Sequence, residues 1–469
     1  LPDAVHIGGT FSAPQGEMEQ RIAQIWQDVL KREQVGRQDN FFELGGDSII
    51  SIQVVSRARQ AGIDFTPKEL FQHQTVQGLA SVARQGAAAA RIDQGPVGGE
   101  LALLPIQQMF FQSAVANRHH WNQSVLLQPR QHLETAALEQ ALVALVNHHD
   151  ALRLSFAEGA QGWHAQHRAP HDGSTLLWHA SVSDDAALLE ACERAQRSLD
   201  IAQGPLVRGV LFDRTDGSQR LLLVVHHLVV DGVSWRILFE DLQAAYRQGS
   251  AALPAKTSSL KAWAERLGTY HLSAAGEAAA TYWMNLPSRD SADLPCEHPE
   301  ASLLKQHAAS VSTRLGREHT SRLLQQAPAT YRTQVNDLLL TALARVICHW
   351  TGAPHAWVQL EGHGREELFT DIDLTRTVGW FTSAFPARLT PHAALGTSIK
   401  AIKEQLRAIP NKGLDFGILR YLGAPEQQAA LARLPVPRIT FNYLGQFDGS
   451  FDDDAALFAP ARESAGAEQ

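Results

Sequence analysis

Three parts of this 469-residue chain carry side chains that could do chemistry. The first is "LGGDS" (44–48). Gly45 and Gly46 permit backbone angles that other residues avoid, and Asp47 and Ser48 land where a helix begins. Ser48 is there either as a helix cap or as an attachment point. A helix N-terminus offers unpaired N–H groups and the positive end of the helix dipole to a phosphodiester. No His or Cys in the surrounding segments is arranged as a base, so Ser48 does not read as an activated nucleophile. The second part is "VVHHLVVDGVSW" (224–235). Neighbouring strand side chains point to opposite faces, so His226 and His227 cannot easily share one task. A metal site would need further ligands at proper spacing, and no metal is expected. Two imidazoles at the end of an apolar strand are costly without partners. The economical arrangement has one facing a channel as acid or base and the other structural.

The third part is made of "WVQLEGHGRE" (357–366) and "ITFNYLGQF" (439–447). Alternation sets Gln359 and Glu361 on the face opposite Val358 and Leu360, with Glu361 at the end of its strand. Glu361 is either a surface carboxylate at a turn or a proton-transfer group. Gly362 and Gly364 would let a substrate or another backbone come close. Arg365 could pair with Glu361 or with another acid. Tyr443 shares an expected strand face with Ile439 and Phe441, as a core tyrosine or as a phenol aimed into a channel. A second histidine pair, in "NHHDALR" (147–153), lies at a helix end, where helix capping suffices to explain it.

These groups need elements to hold them. "EMEQRIAQIWQDVL" (17–30) has apolar residues at Ile22, Ile25, Trp26 and Val29, a helical stripe. "DSIISIQVVSRARQAG" is a second helix, stopped by Gly62. "TPKELF" follows with Thr66 as cap, Pro67 at the first helical position and Glu69 completing a capping box. "TVQGLASVARQG" predicts a last helix from Thr75 to Gly86. About four helices thus precede residue 87, and "AAAARIDQGPVGGE" (87–100) reads as a linker. The remainder alternates helices and strands. "RLLLVVHH" (220–227) is apolar on both faces and reads as a central strand, with a helix after it. "VNDLLLTALARVICHWTG" (335–352) is a long helix, and "HAWVQLEGHG" and "RITFNYLGQF" are strands.

Composition bounds the partners. With 44% hydrophobic and 19% charged residues the chain can bury large cores, and its length predicts two or three globular units. A net charge of -8 without a basic stripe argues against nucleic acid. No segment is apolar for long enough to predict a membrane span, and no basic-then-apolar signal opens the chain. Three scattered cysteines suggest a reducing compartment, and the expected location is cytoplasmic.

"DNFFELGGDSIISIQVVSRARQAGI" (39–63), inside a small four-helix domain, resembles the peptidyl carrier domains of nonribosomal peptide synthetases. The resemblance implies that Ser48 receives a 4′-phosphopantetheine arm carrying amino acids as thioesters. Ile49 and Ile52, one helical turn apart, are then either docking residues or ordinary core. "HHLVVDGVSW" resembles the condensation-domain superfamily, built as two chloramphenicol-acetyltransferase-like α/β lobes. That resemblance implies that His227 faces the tunnel with His226 beside it, and that Asp231 orients the motif through an ion pair.

Condensation and epimerization share the histidine motif. Inverting a stereocentre asks for groups on both faces of Cα, and for hydrogen-bond donors near the thioester oxygen. "EGHGRE" (361–366), "TVGWFTSAFP" (377–386) and "FNYLGQFD" (441–448), with "LLPIQQMFF" upstream, resemble the epimerization-domain signature. The implied catalytic residues are His227, Glu361 and Tyr443, supported by His226, Asp231, Arg365 and Asn442. The implied organisation is an upstream linker (1–14), a carrier (15–86), a linker (87–100) and two lobes (101–285 and 286–469). The implied partners are an upstream adenylation domain, a downstream condensation domain, a phosphopantetheinyl transferase and an aminoacyl or peptidyl thioester. Amide formation, alone or combined with epimerization, is the alternative.

Overall fold

The computed structural model describes residues 11–86, 92–160, 162–172, 175–287, 293–301, 307–445 and 456–468. The N-terminal bundle contains α1 (Gly16–Leu30), α2 (Ser48–Gln60), β1 (Ile63–Asp64), α3 (Pro67–Gln72), α4 (Val76–Ala80) and β2 (Arg84–Gln85). Its core gathers Ile22 and Trp26 of α1, Val54, Val55 and Ala58 of α2, and Phe41, Phe65 and Leu79 from the rest. The capping box at Thr66 and Glu69 forms, and Thr75 caps α4. The last helix is shorter than expected. It ends at Ala80, and Arg84 and Gln85 instead pair antiparallel with Asp64 and Ile63. Side-chain charge explains the change of course: Arg84 reaches Glu69 at 2.8 Å and Asp64 at 3.2 Å, which extended backbone allows.

The expected linker contains structure at its end, because β3 (Gly99–Leu101) pairs with a strand of the following domain. That domain continues with α5 (Pro105–Gln112), β4 (Asn122–Pro129), α6 (Thr135–His148), β5 (Leu154–Gly159), β6 (Gly162–His167), β7 (Leu177–Val182), α7 (Asp185–Gln196), β8 (Val207–Arg214) and β9 (Gln219–His226). Next come α8 (Gly232–Gln248), α9 (Leu260–Tyr270), α10 (Ala274–Met284), α11 (Arg317–Ser321), α12 (Ala327–Tyr331), α13 (Val335–Thr351), β10 (Ala356–Gly362) and β11 (Ser383–Leu389). The last elements are α14 (Leu395–Arg407), α15 (Leu414–Leu422), α16 (Pro425–Leu431), β12 (Thr440–Phe441) and β13 (Phe458–Pro460).

Two sheets matter for function. A five-stranded sheet runs β13-β4-β9-β8-β7, with β9 in the middle and every residue of β9 buried. Both faces of β9 are covered, which is why its sequence is a continuous apolar run. A three-stranded sheet runs β11-β10-β12, its first pair antiparallel and its second parallel. The halves interlock rather than divide at one point. Phe458–Pro460 adds a strand to the first lobe's sheet, while Ala279, Ala280 and Trp283 of α10 pack into the second lobe's core.

The expected strand around Tyr443 shrinks to Thr440–Phe441. Its partner β10 ends at Gly362, and the chain turns away toward the N-terminal bundle. Gly445, at φ 71°, lies so near Asp47 that a Cβ would sit 2.7 Å from Oδ2. Tyr443 is therefore beyond the strand and not on a shared strand face with Ile439 and Phe441.

Candidate active site

Ser48 is the first helical residue of α2, but it is not the cap. Asp47 Oδ1 accepts the Ile49 and Ile50 N–H groups at 2.9 and 2.8 Å, leaving the Ser48 hydroxyl without capping duty. Gly45 has φ 103°, and Gly46 lies against Phe41 so closely that a Cβ would be 2.3 Å from the ring. Those glycines fold the turn that presents Ser48 to an open cavity. A half-buried serine at a cavity edge, its hydroxyl not used in capping, fits the attachment of a phosphopantetheine arm.

α2 divides its apolar residues between two jobs. Ile50, Val54 and Val55 fill the bundle's own core, whereas Ile52, 3% exposed, packs into the core of the large domain with Ile49 beside it. Burying such a side chain contributes about 1.5–3 kcal/mol. Arg57 meets Glu240 at 3.3 Å and Arg59 meets Asp373 at 2.9 Å on the same helix. Of the two readings of Ile49 and Ile52, docking is the one observed.

Docked in this way, Ser48 lines a cleft of about 440 Å³ together with Glu361, His363, Lys412, Asn442 and Tyr443. Glu361 sits near the end of β10, opposite Ala384 of β11. The small partner leaves room over the carboxylate. Among the described residues Glu361 takes neither a hydrogen bond nor an ion pair, and burial alone raises its pKa above the usual carboxylate value. Gly364, at φ 69°, turns the chain after it, where a Cβ would collide with the Phe381 carbonyl. The Tyr443 phenol is held protonated, its pKa raised by burial first and then by the nearby Asp47 carboxylate.

Arg365 is committed elsewhere. Its guanidinium pairs bidentately with Asp231 at 2.7 and 3.1 Å, donates to Ser234 Oγ and the Thr377 carbonyl, and lies over the Phe381 ring. Asp231 also caps α8 through the Ser234 N–H and accepts from the Phe381 N–H. This buried pair ties the histidine loop to the glutamate loop, and it leaves Glu361 without a cation.

The two histidines do separate, but His226 ends the strand and His227 opens the turn after it, so the turn and not strand alternation parts them. His226 is buried, donating from Nε2 to the Arg118 carbonyl and accepting the Leu228 N–H at Nδ1. Burial pushes its pKa down to about 3, so it stays neutral. His227 opens a 3₁₀ turn with its ring 4.4 Å from Trp380. Its Nδ1 lies 2.8 Å from the Val230 carbonyl and its Nε2 3.1 Å from the Gln123 amide nitrogen. Gln123 Oε1 accepts from Trp235 Nε1, so its NH₂ must be what faces the imidazole, and His227 Nε2 is an acceptor. Burial lowers the pKa of His227 and keeps it neutral, with a lone pair on Nε2. His227 is not among the described residues lining the Ser48–Glu361 cleft, although Asp231 and Gly232 of the same loop are.

The other histidine pair does end α6, with His149 at the C-cap position, but its ring does not serve the helix. His149 Nε2 reaches Asp241 at 2.9 Å, and Asp241 also holds Arg376 at 2.5 Å, all deep in the structure. The α6 terminus lies against α8, so the side chain meets a buried acid instead of its own helix carbonyls. His148, His149 and Asp241 are close enough to hold an ion, but the bound guanidinium already supplies the positive charge. His363 and Trp380 lie inside the motifs 361–366 and 377–386 without standing out there, and Gln123 and Lys412 lie in no motif. Only strand alternation, which pairs Asn122 with His226 across the sheet, hints at Gln123.

The condensation-domain family matches residues 97–468, and the phosphopantetheine attachment site family matches residues 20–82. Surfactin synthase subunit 1 of Bacillus subtilis (strain 168) is 42% identical over 97% of this chain, and tyrocidine synthase 2 of Brevibacillus parabrevis is 41% identical over 96%. The chain spans 13% of the length of each of those two proteins. The crystal structure of the epimerization domain from the third module of tyrocidine synthetase B superposes with a TM-score of 0.72 at 38% identity, covering 81% of this chain and 86% of that one. The condensation domain of the monacolin K polyketide synthase MokA shares the fold, with a TM-score of 0.55 at 18% identity over 73% of this chain and 75% of that one. No helix among the described residues is long and apolar enough to cross a membrane. The chain belongs to the nonribosomal peptide synthetases, as a phosphopantetheine-bearing carrier domain followed by a domain of the condensation superfamily.

Proposed function

We propose that the domain epimerises the Cα of an L-aminoacyl or peptidyl thioester carried on Ser48, giving an L/D mixture. One observation carries the reading: Ser48 and the unpartnered, burial-raised carboxylate of Glu361 line the same cleft. When bound, the phosphopantetheine arm holds the substrate as a thioester, which makes the α-proton more acidic. Glu361, without a cation to hold it ionised and with its pKa raised by burial, is suited to both accept and return a proton. His227 presents a neutral imidazole whose Nε2 becomes available when Gln123 gives way, and it serves the opposite face of Cα. Tyr443, kept protonated, donates toward the thioester oxygen as negative charge develops there, with Asn442 beside it. The Asp231–Arg365 pair fixes the two loops relative to each other, and His226 anchors the turn that carries His227.

The likeness to the tyrocidine synthetase epimerization domain favours this reading over amide formation. In the assembly an upstream adenylation domain would load the L residue, a phosphopantetheinyl transferase would install the arm, and a downstream condensation domain would take the D form. The test charges Ser48 with an L-aminoacyl-pantetheine in D₂O, cleaves the thioester and separates the enantiomers by mass-detected chiral chromatography. A D fraction with one deuterium at Cα is expected. An unlabelled L product from aminoacyl and peptidyl substrates alike, with amide formed once an acceptor carrier is added, would make the domain a condensation enzyme.

A further inference from the structure

Between α14 and α15 the backbone does something costly. Asn411 (φ 40°, ψ 39°) and Lys412 (φ 51°, ψ 33°) are left-handed, and Gly413 follows at φ 85°. Side-chain-bearing residues avoid this region, and strain of this kind persists only where the surroundings over-determine it. Asn411 Nδ2 donates to Tyr270 Oη at 3.1 Å and to Asp415 Oδ2 at 3.2 Å. Gly413 is pressed to the Phe385 ring, where a Cβ would come within 2.2 Å.

The strained turn places Lys412. Its Nζ is 3.2 Å from Glu366 Oε2 and 4.8 Å from the centre of the Phe71 ring, which belongs to α3 of the carrier. Glu366 Oε1 is in turn 3.2 Å from His363 Nε2, and His363 Nδ1 accepts the Arg365 N–H at 3.0 Å. A row of contacts therefore runs from the carrier's surface to the loop that bears Glu361. Ile52 and Arg57 hold the carrier to the first lobe, whereas Asp373, through Arg59, and Lys412, through Phe71, touch it from the lobe that carries the glutamate.

We propose that Lys412 is a carrier-sensing positioning residue. With the carrier docked, its ammonium bridges the Phe71 face and Glu366, and so sets His363 in place beside Glu361. When the carrier leaves, Lys412 loses its aromatic partner and the Glu366–His363 contact loosens. The docking claim stands independently of the epimerase reading, and only its catalytic consequence rests on it. Lys412 is more than half exposed, so the expected effect is modest, about two- to fivefold in the docked-to-released ratio.

The test measures carrier tumbling by ¹⁵N relaxation in the full holo chain, for Lys412→Gly, Lys412→Arg, Phe71→Leu and the Lys412→Gly/Phe71→Leu double variant. Lys412→Gly should keep or raise the Tm, because glycine accepts the left-handed turn, while lowering the docked ratio and altering the His363 imidazole ¹⁵N shifts. Lys412→Arg should retain docking. Phe71→Leu should lose as much as Lys412→Gly, with no further loss in the double variant. Wild-type tumbling in Lys412→Gly, unchanged His363 shifts, or losses that multiply in the double variant would each overturn the proposal. A chain that shows the docking change but epimerises nothing would support the latch and remove the epimerase reading.

Discussion

The histidine turn behind the cleft and the glutamate strand that lines it are built on opposite principles. On the histidine side the titratable groups are paired: both nitrogens of His226, both nitrogens of His227, and both oxygens of Asp231. On the glutamate side Glu361 has none among the described residues, and its neighbours Ala384 and Gly362 are small. A saturated hydrogen-bond set fixes a tautomer and a direction. An unpaired carboxylate in a desolvated cleft has a raised pKa and costs stability, a pattern that fits the proton-transfer role proposed for Glu361. Arg365 is the hinge of this contrast, because pairing with Asp231 locks one side and leaves the other without a counter-ion.

Removing the reactive end of the contrast should have the largest effect. Glu361→Gln keeps the shape but cannot take a proton, so Cα inversion should fall about 10²–10⁴-fold while pantetheinylation of Ser48 persists, as read by chiral analysis and intact mass. Next in size, Arg365→Ala strands the Asp231 carboxylate in the interior. Denaturant unfolding should lose about 3–5 kcal/mol, since removing one member of a buried pair leaves an uncompensated charge. Gln123→Leu leaves Trp235 Nε1 without an acceptor and frees His227 Nε2. A loss of about 1–3 kcal/mol in unfolding is expected, together with a shifted imidazole titration by NMR.

The smallest effect discriminates best between the two sides. The Glu361 carboxyl has a higher pKa folded than unfolded, so it is harder to ionise in the fold. The fold therefore loses stability as pH rises from the unfolded value, about 4.3, through the folded one. Glu361→Gln escapes that loss. Its Tm should exceed the parent's at about pH 8 and converge with it at about pH 4. A variant with equal or lower Tm across the range would mean that Glu361 is a satisfied structural carboxylate.

The histidine side is the more legible of the two in the sequence. The apolar run announces a buried central strand, and the two histidines do take different roles, although His227 lies just past the strand in a 3₁₀ turn and not on its opposite face. The helix starting at Ser48 is legible from its glycines and its acid, although the cap is Asp47 and the serine is free. The glutamate side is legible only as a strand ending in glycines. That Arg365 turns away from Glu361 depends on a partner 134 positions earlier, which no local period encodes. The alternation in "ITFNYLGQF" puts Tyr443 on a strand, while the observed pairing ends at Phe441 opposite Leu360, two residues before β10 itself ends. His149 reads as a cap because its buried partner Asp241 lies on a helix 92 positions away. The left-handed Lys412 is invisible, since nothing in its residue type announces a turn that glycine would fill with less strain.

The most direct test of two proton-transfer groups facing opposite sides of Cα is deuterium uptake without inversion. Ser48 would be charged separately with L- and D-aminoacyl-pantetheine in D₂O, in chains carrying Glu361→Gln or His227→Gln, and Cα deuterium would be measured in the recovered enantiomers. Opposed groups predict complementary behaviour. Each variant should still exchange the α-proton of one enantiomer with retention, a different enantiomer for each variant, and neither should invert. Loss of exchange from both enantiomers in one variant, with full activity in the other, would contradict opposed groups and assign the chemistry to a single base.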